Sequence, residues 1–205
     1  MLRRSLLTWV VAFITGTLAP TISAMAANDP VAFINNLGGQ FQTVARNPSA
    51  AQRVAEFHVL FREDFDVPGL GRFVLGRFTR FLTPLEQQEF LALFETYVVY
   101  TYSDRLSDFA ADGSVLRVTG SQPDTDGAIV SSEVIRGDTA QPIKVEWRLV
   151  WRDGMYKISD VVIDGISMAV NGRSELEGVV ERNGGQPQVI LAVMQQDCER
   201  AARQW

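Results

Sequence analysis

The apolar positions of this chain fall first at helical spacing, then in alternation, then at helical spacing again. That order predicts helices, strands and helices in turn. Asp29-Pro30 joins a capping residue to a proline at the first helical position. The helix it opens runs to about Arg46, where Asn47-Pro48 ends it. Ser49 and Gln52 form a capping box for a second helix, which carries Val54, Phe57, Phe61 and Phe65 on one face. Val67-Pro68-Gly69 is expected to break it, and a third helix follows with Leu70, Phe73, Val74, Phe78 and Phe81 at helical spacing. The clearest signal is Thr83-Pro84-Leu85-Glu86, a capping box with an N-terminal proline, which opens a long helix to about Phe109. Its inner stripe is Phe90, Leu93, Phe94, Tyr97, Val98, Thr101, Tyr102, Leu106 and Phe109, and Val99 and Tyr100 widen that face enough for contact from two directions.

The period then changes. Val115 to Thr119 and Ala128 to Arg136 flank a turn-rich stretch from Pro123 to Gly127, and Gly137-Asp138 with Gln141-Pro142 mark the next turn. Ile143, Val145, Trp147, Leu149 and Trp151 alternate with charged residues, the pattern of a half-buried strand. Asp153-Gly154 is a hairpin signal, Tyr156 to Ile163 is the returning strand, and Asp164-Gly165 ends it. A helix from about Met168 to Arg182 stops at Asn183-Gly184-Gly185, and a last one starts at Pro187. These segments predict an α+β fold: a curved antiparallel sheet of about four strands packed against amphipathic helices, enclosing an apolar pocket.

The N-terminus adds a separate signal. Arg3 and Arg4 precede an apolar run from Leu6 to Ala19, and Ala24-Met25-Ala26 is a small-residue cleavage pattern. Residues 1–26 are therefore expected to be a cleaved secretory signal peptide, and 27–205 a single domain in an oxidising, extracytoplasmic compartment. The run is short for a membrane span of roughly 20 residues. Once Arg3 and Arg4 are removed, 17 basic residues face 24 acidic ones, a net charge of −7. That balance argues against nucleic acid, whose phosphates dominate affinity. The lone Cys198 cannot form an internal disulfide, so the core must hold itself together.

Catalytic constellations are scarce. One histidine, His58, and one cysteine do not make a zinc site of the usual nitrogen and sulfur ligands. Gly165-Ile166-Ser167-Met168-Ala169 approaches a nucleophile elbow, but no histidine follows Ser167, so the hydrolase order is excluded and helix capping is its expected role. Asp124-Thr125-Asp126-Gly127 begins like a calcium loop and lacks the later ligands. What stands out is 12 Phe and four Trp, more large apolar side chains than a filled core of this size readily absorbs. Amphipathic helices over a sheet with an aromatic face can enclose a ligand pocket.

Several segments carry a resemblance. Phe65 to Arg77, Glu89-Phe90 with Leu93 to Tyr97, Tyr100-Thr101-Tyr102, Val145 to Leu149, Asp153-Gly154 with Tyr156 to Val161, and Gly165 to Met168 resemble the MlaC, or toluene-tolerance, family of periplasmic phospholipid-binding proteins. The likeness spans roughly residues 31–195. It implies a non-enzymatic carrier whose cargo is a phospholipid and which needs no metal or cofactor. The acyl tails would enter between sheet and helices, with the headgroup near solvent. It also implies shuttling between an outer-membrane lipoprotein complex and an inner-membrane ABC transporter bearing MCE-domain subunits, in maintenance of outer-membrane lipid asymmetry. Family members are often basic and this chain is acidic, a departure that bears on electrostatic docking. Burial of about 20 methylenes at ~0.8 kcal/mol each gives ~16 kcal/mol, near the ceiling of noncovalent affinity, so release is the hard step.

Helical facing and alternation assign Phe73, Val74, Phe94, Tyr97, Val98, Trp147, Leu149, Val162 and Ile166 to the pocket walls. Tyr102, Arg105 and Arg136 are placed at its mouth without such a pattern behind them. Two other readings stay open: a small hydrolase or isomerase on a cone-shaped α+β scaffold, and an interaction module with a solid core.

Overall fold

The computed structural model describes residues 29–111, 113–136 and 141–203, with the side chains of 104–111 left out. The leader expected over 1–26, the Gly137-Asp138 turn and the side chain of Arg105 lie outside the described residues. The fold is α+β; the described residues form six α-helices and one open antiparallel sheet of five strands.

Helix α1 is Pro30–Ala45, and the Asp29 carboxylate accepts from Val31 N at 2.9 Å, as the cap signal requires. Helix α2 is Ala50–Asp64, capped by Ser49 through Gln52 N. Helix α3, Val67–Leu75, corrects one expectation. Val67-Pro68 starts a helix instead of only ending one, because Asp66 caps it through Gly69 N and proline suits the first turn. A 3₁₀ segment, Gly76–Phe81, continues it. Helix α4 runs Pro84–Ala111, and its capping box is reciprocal: Thr83 N donates to Glu86 Oε2 at 2.7 Å, and Glu86 N to Thr83 Oγ1 at 3.3 Å.

The strands are β1 (Val115–Asp124), β2 (Gly127–Ile135), β3 (Ile143–Arg152), β4 (Met155–Ile163) and the two-residue β5 (Ile166–Ser167), paired in sequence order. β1 runs five residues beyond its expected end, through Pro123, leaving Thr125-Asp126 as the hairpin tip. Asp153-Gly154 and Asp164-Gly165 both have positive φ, the geometry of tight two-residue hairpin turns. The second of these adds β5 where the sequence showed only a strand end. Two bulges interrupt the ladders, one at Thr119 against β2 and one at Ser159 against β3. Each bends its strand and increases the local twist. Helices α5 (Met168–Arg182) and α6 (Val189–Ala202) close the chain.

Two apolar cores form. One joins α1 to the sheet: Ile34 and Leu37 pack on Val130, Val145, Trp147, Leu149 and Ile158. The other lies among the helices, with Phe57, Phe61, Leu75, Phe90, Phe94, Val180 and Ile190 at its centre. Phe41 and Phe65 pack against both. α4 is indeed contacted from more than one side, by α1, α2, α3 and α6.

Candidate functional site

Between the two cores the side chains do not close, and a cavity of about 750 Å³ remains. This lies within the roughly 300–1,000 Å³ of small-molecule sites. Its walls come from nearly every element. α2 and the residue after it give Phe57, Phe61 and Phe65; α3 gives Leu70 and Val74; α4 gives Phe94, Tyr97, Val98, Thr101 and Tyr102. The sheet gives Leu116, Val134, Val145, Trp147, Val161 and Ile163. Gly38 and Phe41 of α1, Ile166 of β5, Met168, Ala169, Gly172, Leu176 and Val179 of α5 and Val193 and Met194 of α6 complete the apolar lining.

Of the residues assigned to the walls from sequence, Val74, Phe94, Tyr97, Val98, Trp147 and Ile166 line this cavity, and so does Tyr102 from the expected mouth. Phe73, Leu149, Val162 and Arg136 do not. Phe73 sits one position off the Leu70–Val74 stripe and is 40 % exposed on the outer face of α3. There the Arg173 guanidinium lies 3.8 Å from its ring centroid, and Arg173 Nε donates to its carbonyl at 2.7 Å. Leu149 is on the inner face of the sheet but under α1, where packing against Ile34 and Leu37 closes the core. Val162 is displaced by the bulge at Ser159. Without it Ile158, Asp160 and Val162 would share a face; with it Val161 and Ile163 stand opposite Trp147 and Val145. Arg136 follows the end of β2, outside the lining. Trp151, expected inward, is 37 % exposed near the hairpin end, its ring edge-on to Tyr156 at 4.8 Å.

Several lining residues went unassigned although their helices were legible. Phe57, Phe61 and Phe65 form the predicted face of α2, and Met168, Gly172, Leu176 and Val179 recur at steps of three and four on α5. The polar lining residues gave no such signal. They are Asp160, Asn171, Glu175, Asp197 and Thr101, with the Tyr97 and Tyr102 hydroxyls. Among the described residues, none of the lining side chains is Lys, Arg or His.

The polar groups are mostly engaged in holding the frame. Trp147 Nε1 donates to Ser132 Oγ at 2.9 Å, and that hydroxyl donates to Val145 O at 3.2 Å, which fixes the indole against the cavity. Asp160 Oδ1 accepts from Ala169 N at 3.0 Å and Oδ2 from Ser167 Oγ at 2.6 Å, while Ser167 Oγ caps α5 through Val170 N at 3.1 Å. The residue nearest to a nucleophile elbow is thus a helix cap, tied to a carboxylate that anchors α5 to β4. His58 contacts Glu95, which also pairs with Arg62 Nε at 3.0 Å, and His58 is not among the residues lining the cavity. Burial pushes the Tyr97 phenol above its usual range, helped by the Glu175 and Asp197 charges and opposed by a hydrogen bond from Thr101. Burial and Asp197 likewise raise the Cys198 thiol, whose Sγ donates to Leu93 O at 3.4 Å. Among the described residues no group of three or more His, Cys, Asp or Glu side chains could hold a metal ion. No described helix is long and apolar enough to cross a membrane.

The family model described as MlaC protein matches residues 37–196. A solved structure with the same fold is the phospholipid-binding protein of Ralstonia solanacearum, determined in complex with a phospholipid. It superposes with a TM-score of 0.69 at 19 % identity, covering 86 % of this chain and 98 % of that one.

Proposed function

The chain belongs to the MlaC family, and from that premise we propose that it is a phospholipid carrier that holds acyl chains in the cavity between its two cores. The observation that carries this reading is the cavity itself: about 750 Å³ walled by six helices and the sheet, with phenylalanine and aliphatic side chains over most of its surface. If a methylene takes about the ~30 Å³ share of a water molecule, that volume holds on the order of 25 methylenes. This is about one and a half acyl chains of ordinary length. The cavity's carboxylate nearest to an elbow-like serine is engaged in capping α5, and among the described residues no nucleophile and base are assembled there. A binding role fits the site better than turnover.

Membership of the family supports a wider role, which forms part of the proposal. The leader-like N-terminus supports export and a periplasmic location after cleavage. Shuttling between an outer-membrane lipoprotein complex and an inner-membrane MCE-domain ABC transporter, in maintenance of lipid asymmetry, is the proposed pathway. Tails worth ~0.8 kcal/mol per buried methylene do not leave unaided. The receiving partner must loosen the helix–sheet contacts or accept the chains directly.

The test is a solvent extract of protein purified without detergent, read by mass spectrometry. Phospholipid near one molecule per chain supports the carrier. Absence of lipid both from the extract and after incubation with phospholipid vesicles overturns it. Turnover of a small ester or steroid-like substrate in the cavity would favour the enzyme reading instead.

A further inference from the structure

The position of the cavity's mouth can be read from its lining. Ile166, Asn171 and Glu175 are exposed, whereas Phe57, Phe61, Val145 and Trp147 on the far walls are buried. The cavity therefore meets solvent along β5 and the first two turns of α5, with the half-buried Tyr97 and Tyr102 of α4 also in the lining. A headgroup stays at such a mouth, since burying its phosphate costs far more than burying its tails gains per atom.

Among the described residues, the charged side chains that line the cavity are of one sign and unequally compensated. Asp160 is held by Ser167 and Ala169 N, with Arg148 Nη1 at 3.8 Å. Asp197 pairs with Arg200 at 2.9 Å. Among the described residues, Glu175 accepts from the neutral amide of Asn171, at 2.8 Å, and from no cation. The nearest cation along α5, Arg173, is turned outward onto Phe73. The field of Glu175 reaches the cavity wall, where it is one of the causes that raise the Tyr97 phenol, after burial.

Resting on the carrier reading above, we propose that Glu175 is a specificity-determining residue that favours phospholipids whose headgroup carries an ammonium and disfavours net-anionic ones. The ammonium of an ethanolamine or choline headgroup meets this carboxylate, while a glycerol headgroup leaves its phosphate charge facing it. Because Glu175 is solvent-exposed, the discrimination is modest and salt-sensitive: about fivefold at low ionic strength, falling toward twofold at high salt.

The test loads lipid-free protein from vesicles holding equal amounts of phosphatidylethanolamine and phosphatidylglycerol with identical acyl chains. The protein is re-isolated and its lipid quantified by mass spectrometry. The wild type is expected to enrich the ethanolamine lipid about fivefold at low salt. Glu175→Gln should bring the ratio near one. Arg200→Gln, which uncovers Asp197, should raise the ratio above wild type. Equal uptake of the two lipids by the wild type overturns the proposal, as does enrichment that persists in Glu175→Gln. Failure to take up either lipid is a different outcome: it removes the carrier reading, and the selectivity with it.

Discussion

Val98 offers the sharpest perturbation of the cavity. It lines the space from α4 and is half-buried, so a longer polar side chain there points into room that water can fill when no ligand is present. In Val98→Glu the empty protein can hydrate the new carboxylate within the 750 Å³ cavity, and the fold should lose little, about 1 kcal/mol. With acyl chains in place that water is gone, and an unpaired ion then costs several kcal/mol. Taking ~4 kcal/mol, lipid affinity should fall about 1,000-fold. The same logic fixes a pH dependence. A glutamate has an ordinary pKa of about 4.3, and the loaded cavity raises it, so binding takes up a proton. Affinity of the variant should therefore recover about tenfold per unit as pH falls from 7 toward 5. Val98→Gln should bind less well than wild type without that pH dependence. Val59→Glu, on the 53 % exposed outer face of α2, should change nothing. The assay is lipid uptake from vesicles at pH 5, 6 and 7, with thermal melts as the folding control. Wild-type lipid loading of Val98→Glu at pH 7 would refute the reasoning, and so would a loss of equal size at pH 5 and pH 7 in a folded variant.

Three further outcomes follow from the geometry. Ser132→Ala removes the acceptor of the buried Trp147 indole N–H and should cost about 2 kcal/mol in urea unfolding; a midpoint equal to wild type would show that the indole finds another partner. Asp64 has its carboxyl pushed up to about 6, mainly by burial, with Lys157 opposing and Glu63 adding to the rise. A raised acid favours the folded state while protonated, so this contribution is lost as pH rises from about 4 through 6. Asp64→Asn should be more stable than wild type at pH 7, by about 1 kcal/mol after allowing for partial exposure, and equal to it at pH 4; a stability difference that does not change with pH would contradict this. Cys198, buried and with its thiol pKa raised, should alkylate at pH 8 roughly tenfold or more slowly than a free thiol until the protein is unfolded; rapid labelling of the native protein would show that α6 opens readily from α4.

Much of the architecture was legible because local chemistry and tertiary packing agree. Ser167 as a cap, the helix Met168–Arg182 after it and the Asp153-Gly154 hairpin all appear where the residues point. Asp66 illustrates a milder failure: a Pro-Gly pair reads as a break, yet a capping carboxylate just before it makes the same pair a helix start. The site was harder for two physical reasons. Alternation cannot reveal a bulge, and the extra residue at Ser159 exchanged Val162 for Val161 and Ile163 on the inner face. Nor does a strand's inner face say which part is covered by a helix. Leu149 and Trp147 alternate identically, but α1 fills the space at one and leaves the cavity at the other. Glu175 was invisible for the opposite reason. A carboxylate on an exposed helical position reads as solvated surface, and only the fold reveals that this surface borders an opening.

Whether the tails occupy this cavity can be measured at Trp147 directly. Trp151→Phe and Trp205→Phe together leave Trp147 as the only tryptophan beyond the N-terminal apolar run Leu6–Ala19. Phospholipids carrying bromine midway along an acyl chain quench tryptophan emission on contact. The account predicts strong quenching of Trp147 when one equivalent of such a lipid binds, and little when the same halogen sits on the headgroup. Stoichiometric lipid bound with Trp147 emission unchanged would place the chains elsewhere and contradict the account.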